Sequence, residues 1–145
     1  DMSFLLKLVA ALLLLSATSR RAENGIRIKV TGLRNTNGHV LVILFKDKAG
    51  FPDNPAGAFR KIRLDINGQE ASCLFSSLPA GNYAVSILHD ENDDQAMNKN
   101  SLGIPREGYG FSNNVTGAFG PPSWHRASFS HQPNTLTELR IRTRY

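Results

Sequence analysis

The stretch HVLVILF, residues 39–45, decides the fold because every position after its histidine is apolar. In a strand, alternate side chains point to opposite faces of the sheet, so this stretch presents apolar groups on both faces. A strand that needs cover on both sides lies in the interior of a sheet. The sequence therefore predicts a central strand over residues 39–45, with other strands beside it.

Segments before and after this strand alternate apolar and polar residues, which is typical of strands with one wet face. Asn67-Gly68 adds a strong two-residue hairpin signal between two of them. The other strands are predicted at residues 26–30, 62–66, 71–75, 82–89, 124–130 and 136–144. About seven short strands, with no helix among them, predict an all-β fold: an antiparallel β-sandwich that forms one domain over residues 22–145.

Residues 1–21 have the pattern of an export leader. Residues 8–15 are apolar throughout, Lys7 precedes them and small residues follow at positions 17–19. This pattern indicates either a signal peptide, cleaved after Ala17 or Ser19, or an anchor helix that is kept in the membrane. Both alternatives predict an extracytoplasmic, periplasmic domain.

The charge balance limits the class of partner. The net charge of +5 arises from 17 lysines and arginines against 12 acidic residues. The basic residues are scattered and no nucleic-acid-binding module is visible, so a nucleic-acid partner is not expected. A basic surface is either simply solvated or attracts an acidic protein surface or anionic lipid head groups. Cys73, the single cysteine, excludes an intrachain disulfide and is expected to be a small buried residue.

A long stretch between residues 90 and 122 has no clear periodicity and begins with an acidic segment. Asp90, Asn92 and Asp94 have the 1, 3, 5 spacing of an oxygen-rich Ca²⁺ loop, and Asn98 stands at position nine. The match is partial, because Gln95 occupies the sixth position, where an EF-hand has glycine. The alternative is an acidic, solvated turn without a metal.

Three segments resemble the signature of a bacterial family of exported proteins that is known only as a domain of unknown function. They are LPAGNYAV at residues 78–85, HDEN at 89–92 and LGIPREGYGFSNN at 102–114. The resemblance covers residues 25–142 and implies a β-fold and export, but no reaction. The family loop typically reads D-x-N-x-N-G-x-x-D, from which Gln95 and Asn98 depart. The Leu-Pro-x-Gly-x-Tyr turn is more broadly similar to transthyretin-like and Cna-B-like sandwiches. The expected sandwich is therefore of the prealbumin- or immunoglobulin-like kind.

Two further sets of residues are candidates for partner binding. Tyr109 and Phe111 supply apolar anchors that either pin the long loop onto the sandwich or form a recognition surface. Arg140, Arg142 and Arg144 alternate with apolar residues in the last strand, so they are expected to form a row on its wet face. The row is either a solvated surface or a docking stripe, which Arg27 and Lys29 extend if the first strand lies beside the last.

The chain is expected to be a non-catalytic exported binding or structural module, for example an accessory subunit of a membrane-associated complex. One alternative is a Ca²⁺-stabilised extracytoplasmic ligand-binding domain. The other is a hydrolase, which needs a nucleophile with a base or paired carboxylates in a cleft. No serine or cysteine motif of that kind occurs in the sequence.

Overall fold

The computed structural model describes residues 22–145, which contain eight strands. The strands are β1 (Gly25–Thr31), β2 (His39–Phe45), β3 (Arg60–Leu64), β4 (Ala71–Phe75), β5 (Gly81–Asp90), β6 (Gly108–Phe111), β7 (Phe129–His131) and β8 (Leu136–Arg142). The helical elements are 3₁₀ turns at Pro55–Gly57 and Ser112–Asn114 and the helix α1 (Trp124–Ala127). The predicted leader or anchor, residues 1–21, lies outside the described residues. Within residues 22–145, no helix has the length and apolar character needed to cross a membrane.

The strands form two sheets. The first has the order β4-β1-β8, and the second has the order β3-β2-β5-β6, with β7 also paired to β5. Strand β2 lies between β3 and β5, so the prediction of a central strand at residues 39–45 is confirmed. The turn at Asn67 forms as predicted, with hydrogen bonds in both directions between Asn67 and Glu70. The predicted hairpin is nevertheless wrong, because the two strands that the turn joins belong to different sheets: β3 pairs with β2, and β4 pairs with β1.

One apolar core lies between the sheets. Alternate residues of β1 and β8 meet alternate residues of β2 and β5, as the period of two requires. The contributing side chains, each at most 3% exposed, are Ile26, Ile28, Val30, Ile141, Val40, Val42, Leu44, Tyr83, Val85 and Ile87. Leu139 packs against this cluster as predicted, although it is only half-buried. Two sheets around one core make this a sandwich-like, all-β arrangement.

The antiparallel prediction is wrong for one pair of strands. Strand β1 runs parallel to β8, with Ile28 opposite Leu139 and Val30 opposite Ile141. A parallel pair needs a long crossover connection, and here that connection comprises the whole second sheet together with β4. The pattern of each strand alone contains no information on this pairing, so the sequence prediction missed it.

Three local predictions also need correction. Residues 124–130 are not one strand, because Ser123 caps the four-residue helix α1 and the strand that follows is only Phe129–His131. The last strand ends at Arg142, and Arg144 instead forms an isolated bridge to Tyr109. Strand β6 was not predicted, because its two glycines remove the alternation. A β-carbon at Gly110 would lie 2.8 Å from the Arg142 carbonyl oxygen, so the close approach of β6 to β8 requires glycine there.

Candidate functional site

The outer face of the five-stranded sheet carries two rows of side chains that run across the strands. Residues directly opposite each other in an antiparallel ladder point to the same face. The register gives one row of Arg63, Leu41, Leu88 and Tyr109, and a second of Lys61, Ile43, Ser86 and Phe111. Each row therefore passes from a cation on the edge strand β3, through an aliphatic residue of β2, to an aromatic ring on β6.

These rows form the floor of a groove of about 1,040 Å³. Residues 95–105 and 116–121 of the long loop supply its walls. Leu41 and Ile43 are half-buried, whereas Val40 and Val42 on the inner face of the same strand are fully buried. The outer face of the central strand, for which the sequence predicted cover, is thus only partly covered. The predicted partner-binding residues Tyr109 and Phe111 both lie on this floor.

The walls expose unusually large apolar side chains. Ile104 is 54% exposed and Phe119 is fully exposed to solvent. Single exposed apolar residues are ordinary on protein surfaces, but here they stand beside a half-buried apolar floor. Together the walls and the floor make a contiguous apolar concavity, the usual chemistry of a ligand pocket.

Two different clusters close the ends of the groove. At the Phe45 end, the ring of Phe51 packs edge-on against Phe45, Phe111 and Trp124, with centroids 5.4, 6.2 and 5.9 Å away. At the other end, Asp93 accepts a hydrogen bond from His39 at 2.6 Å and pairs with Arg63 at 3.0 Å. The bond to His39 and the charge of Arg63 hold the pKa of Asp93 below its usual range.

A cluster of three carboxylates lies where β5 ends and β6 begins. Asp90 is fully buried and Glu107 is 5% exposed. One carboxylate oxygen from each of Asp90, Asp94 and Glu107 lies within 4.8 Å of the other two. Oxygen ligands on opposite sides of a Ca²⁺ ion are roughly 5 Å apart, so this spacing suits a hard cation. Glu107 accepts hydrogen bonds from the backbone N–H of Glu91 and Asn98. Burial nevertheless raises the pKa of Glu107, and the charges of Asp90 and Asp94 add to the effect.

The four residues that the sequence predicted to bind a metal, Asp90, Asn92, Asp94 and Asn98, do lie close together. Asn92 donates to Asp94 and to Asn98 at 3.1 Å, and Asn98 donates to Asp94 at 2.8 Å. The bond from Asn98, followed by that from the Ala96 N–H, lowers the pKa of Asp94. Glu107 was missing from the predicted set, although its place in the fixed-order 102–114 segment was a signal for it. Gln95, which replaces the family glycine, keeps the left-handed backbone of that position, with φ of 61°.

His89, the histidine of the HDEN segment, makes a hydrogen bond within the fold through each ring nitrogen. The buried ring of His89 donates from Nε2 to the Asn37 carbonyl at 2.8 Å and accepts at Nδ1 from the Tyr145 hydroxyl at 2.7 Å. A carbonyl can only accept, so the ring carries a proton on Nε2. Tyr145 in turn accepts from the Arg34 backbone N–H at 3.0 Å. This network joins β5 to the turn before β2 and to the segment after β8.

Residues 112–114, the end of the longest signature segment, fasten three elements together. Ser112 Oγ accepts from the Val85 N–H at 2.9 Å and donates to the Ala127 carbonyl at 2.6 Å. Asn113 donates to carbonyls on either side of Ala127, and Asn114 exchanges two hydrogen bonds with the β8 backbone. Asn113 and Asn114 have left-handed backbones, which asparagine tolerates. These three side chains therefore hold β5, α1 and β8 in register.

The predicted arginine row is partly neutralised. Strand β1 lies beside β8, so Lys29 is opposite Arg140 as the extended row requires. However, Lys29 pairs with Glu70, and Arg27 pairs with Glu23 and Glu138. Arg140 and Arg142 are exposed and lie within 4.0 Å of no carboxylate in residues 22–145. Arg144 bonds through its backbone to Tyr109, at the edge of the other sheet. The docking role of the row stays a prediction.

Cys73 packs against the core and is half-buried. Burial raises the pKa of its thiol to about 11. The nucleophilic form of a cysteine is the thiolate, which is scarce at neutral pH when the pKa is so high. Its environment is that of a packed core residue.

The three signature segments agree with the comparison of this chain with known families. The model of a family described as "Uncharacterized protein conserved in bacteria (DUF2141)" matches residues 28–138. The chain belongs to this family, so the resemblance found in the sequence is confirmed. No curated protein and no solved structure matches the chain.

Proposed function

We propose that this protein is a non-catalytic, extracytoplasmic binding module, and that the groove on the outer face of the five-stranded sheet is its ligand site. The carrying observation is the apolar floor of Leu41, Ile43, Leu88, Tyr109 and Phe111, which is left half-buried between walls that are themselves apolar. Burial of apolar surface stabilises by about 25 cal/mol per Å², so an apolar occupant is favoured here. The finer fold that we propose is a prealbumin- or immunoglobulin-like sandwich, supported by Tyr83, whose hydroxyl donates to the Pro79 carbonyl as in a tyrosine corner.

The location and the wider assembly are parts of the same proposal. Export rests on the leader pattern of residues 1–21. A role as accessory subunit of a membrane-associated complex is supported by the exposed charges of Arg140 and Arg142, which face away from the groove on the other sheet. The two faces would then serve two partners, a ligand on one side and an acidic surface on the other.

Titration with N-phenyl-1-naphthylamine, an uncharged apolar dye, tests the ligand site. The protein is expected to enhance the fluorescence of the dye in a saturable way. Leu88→Lys places a charge on the groove floor without entering the core and should weaken dye binding at least about tenfold. Leu74→Lys is the matched control, because Leu74 is 37% exposed on β4 of the other sheet. Absence of dye binding, or an equal loss in both variants, would refute the proposal.

A second candidate function is Ca²⁺ binding at Asp90, Asp94 and Glu107, with Asn92 and Asn98 at its edge. The specific observation is that two of the three converging carboxylates are buried. Like charges that are withdrawn from water repel strongly, and a divalent cation offsets that repulsion. A bound ion would fix the long loop that forms one wall of the groove, so this function is compatible with the first.

Isothermal titration calorimetry with Ca²⁺ tests the second candidate. The dissociation constant for Ca²⁺ is expected to be millimolar, as in extracellular sites, or lower. Asp90→Ala combined with Asp94→Ala should abolish the heat of binding. Asp65→Ala is the control, since the Asp65 side chain is 99% exposed and lies outside the cluster. If no heat is seen at millimolar Ca²⁺, the acidic segment is a solvated turn.

A further inference from the structure

We propose that the ligand of the groove is a single molecule of a long-chain amphiphile with an anionic head, such as a fatty carboxylate. This inference rests on the groove being the ligand site, as proposed above. Three independent features of the groove lead to it: the lack of hydrogen-bonding groups on its floor, the sign of the charges along its edge, and its size.

The middle of the floor, on β2 and β5, offers almost no hydrogen-bonding group to a polar ligand. The backbone groups of β2 and β5 are engaged in ladders with a strand on each side. Ser86 is the one polar side chain in the middle of either row, and it is only 6% exposed. A peptide lying here would leave its own N–H and C=O groups without partners, which is costly in an apolar site. A hydrocarbon chain has no such groups, so it suits the floor better than a peptide does.

The charges along the groove favour an anion. Its charged lining residues are Lys61, Arg63, Lys99 and Asp53. Asp93 already neutralises Arg63. Lys61 and Lys99 lie within 4.0 Å of no carboxylate in residues 22–145. Lys61 begins the row that ends at Phe111, so the anionic head of an amphiphile would meet Lys61 while its chain crosses toward the aromatic end.

The size of the groove points to a large ligand. Its volume of about 1,040 Å³ is at the upper end of the ~300–1,000 Å³ that is usual for small-molecule pockets. An amphiphile that fills it would contact both the floor and the exposed walls. The exposure of Ile104 and Phe119, which is unfavourable in water, is explained if a chain covers them.

Displacement of the bound naphthylamine dye by three C12 amphiphiles tests the inference. Dodecanoate is expected to displace the dye at lower concentration than dodecanol, and dodecyltrimethylammonium at the highest. Lys61→Gln combined with Lys99→Gln should weaken dodecanoate about three- to tenfold, as for two partly exposed ion pairs, and leave the uncharged dye unaffected. The control is Lys46→Gln combined with Lys48→Gln, which removes two exposed positive charges outside the groove.

Each other outcome has a definite meaning. If the three amphiphiles displace the dye equally well, the proposal of an anionic ligand is overturned, but the proposal that the groove is the ligand site stands. Failure of the dye itself to bind overturns both. Binding to phosphatidylglycerol vesicles that Phe119→Ser weakens, without binding to monomeric dodecanoate, identifies a membrane surface as the occupant of the groove and overturns the inference. A dimer that Phe119→Ser dissociates, with no amphiphile bound, identifies a second copy of the chain and also overturns it.

Discussion

Ser112→Ala should destabilise the protein far more than the loss of one hydroxyl suggests. Ser112 is fully buried, and its Oγ is the partner of the Val85 N–H at 2.9 Å and of the Ala127 carbonyl at 2.6 Å. Alanine leaves both buried backbone groups without that partner. Each such group costs about 1–3 kcal/mol, so the free energy of unfolding should fall by about 2–6 kcal/mol. For a domain of this size that corresponds to a melting temperature lower by roughly 6–24 °C.

Urea denaturation at equilibrium, followed by far-UV circular dichroism, measures this change. The midpoint should fall while the slope of the free energy against urea stays constant, because the folded structure is retained. Ser130→Ala is the control, since Ser130 is exposed on β7 and should change stability by less than about 0.5 kcal/mol. A loss below 1 kcal/mol for Ser112→Ala with an unchanged slope would refute the fastening role of residues 112–114.

Four further predictions use the same measurement or a binding assay. Thr143→Val should stabilise by about 1 kcal/mol, because the Thr143 hydroxyl is buried and has no partner within residues 22–145. Gln95→Gly should stabilise by about 1 kcal/mol by relieving the left-handed backbone of a residue with a side chain, and a neutral or lower midpoint in urea would contradict this. Folding raises the pKa of Glu107, so between its ordinary pKa and the raised one the folded protein holds a proton that the unfolded chain has lost. Without divalent cations, the free energy of unfolding should therefore fall as the pH rises through this range. Glu107→Gln should remove that fall. Replacement of Arg140 and Arg142 by glutamine should reduce both the strength and the salt dependence of binding to anionic vesicles, and equal binding would show a merely solvated surface.

The sequence was sufficient where periodicity was strong. Strands β1, β2 and β5 each have an apolar set that alternates, because burial of one face of a sheet imposes a period of two. The central position of β2 followed from its two apolar faces. By contrast, β6 has only four residues, and the glycines that let it approach β8 also hide it. The parallel pairing of β1 with β8 depends on contacts between distant segments, which no local pattern records.

The candidate sites were predictable to different degrees. The spacing of Asp90, Asn92 and Asp94 is local, so it indicated their convergence directly. The participation of Glu107 depends on β5 and β6 being neighbours, which was not known from the sequence. The groove was missed as a unit, because its rows combine residues of four strands that only the register aligns. Tyr109 and Phe111 were found as single residues because aromatic rings between glycines in a loop are conspicuous.

The central claim is that the groove is the ligand site, and an amide NMR titration with N-phenyl-1-naphthylamine tests it most directly. The account predicts saturable shifts at residues 41–43, 86–88 and 109–111 and in the loop walls, with little change on β1, β4 and β8 of the other sheet. Saturable shifts confined to that other sheet, or no shifts at dye concentrations that saturate its fluorescence, would contradict it.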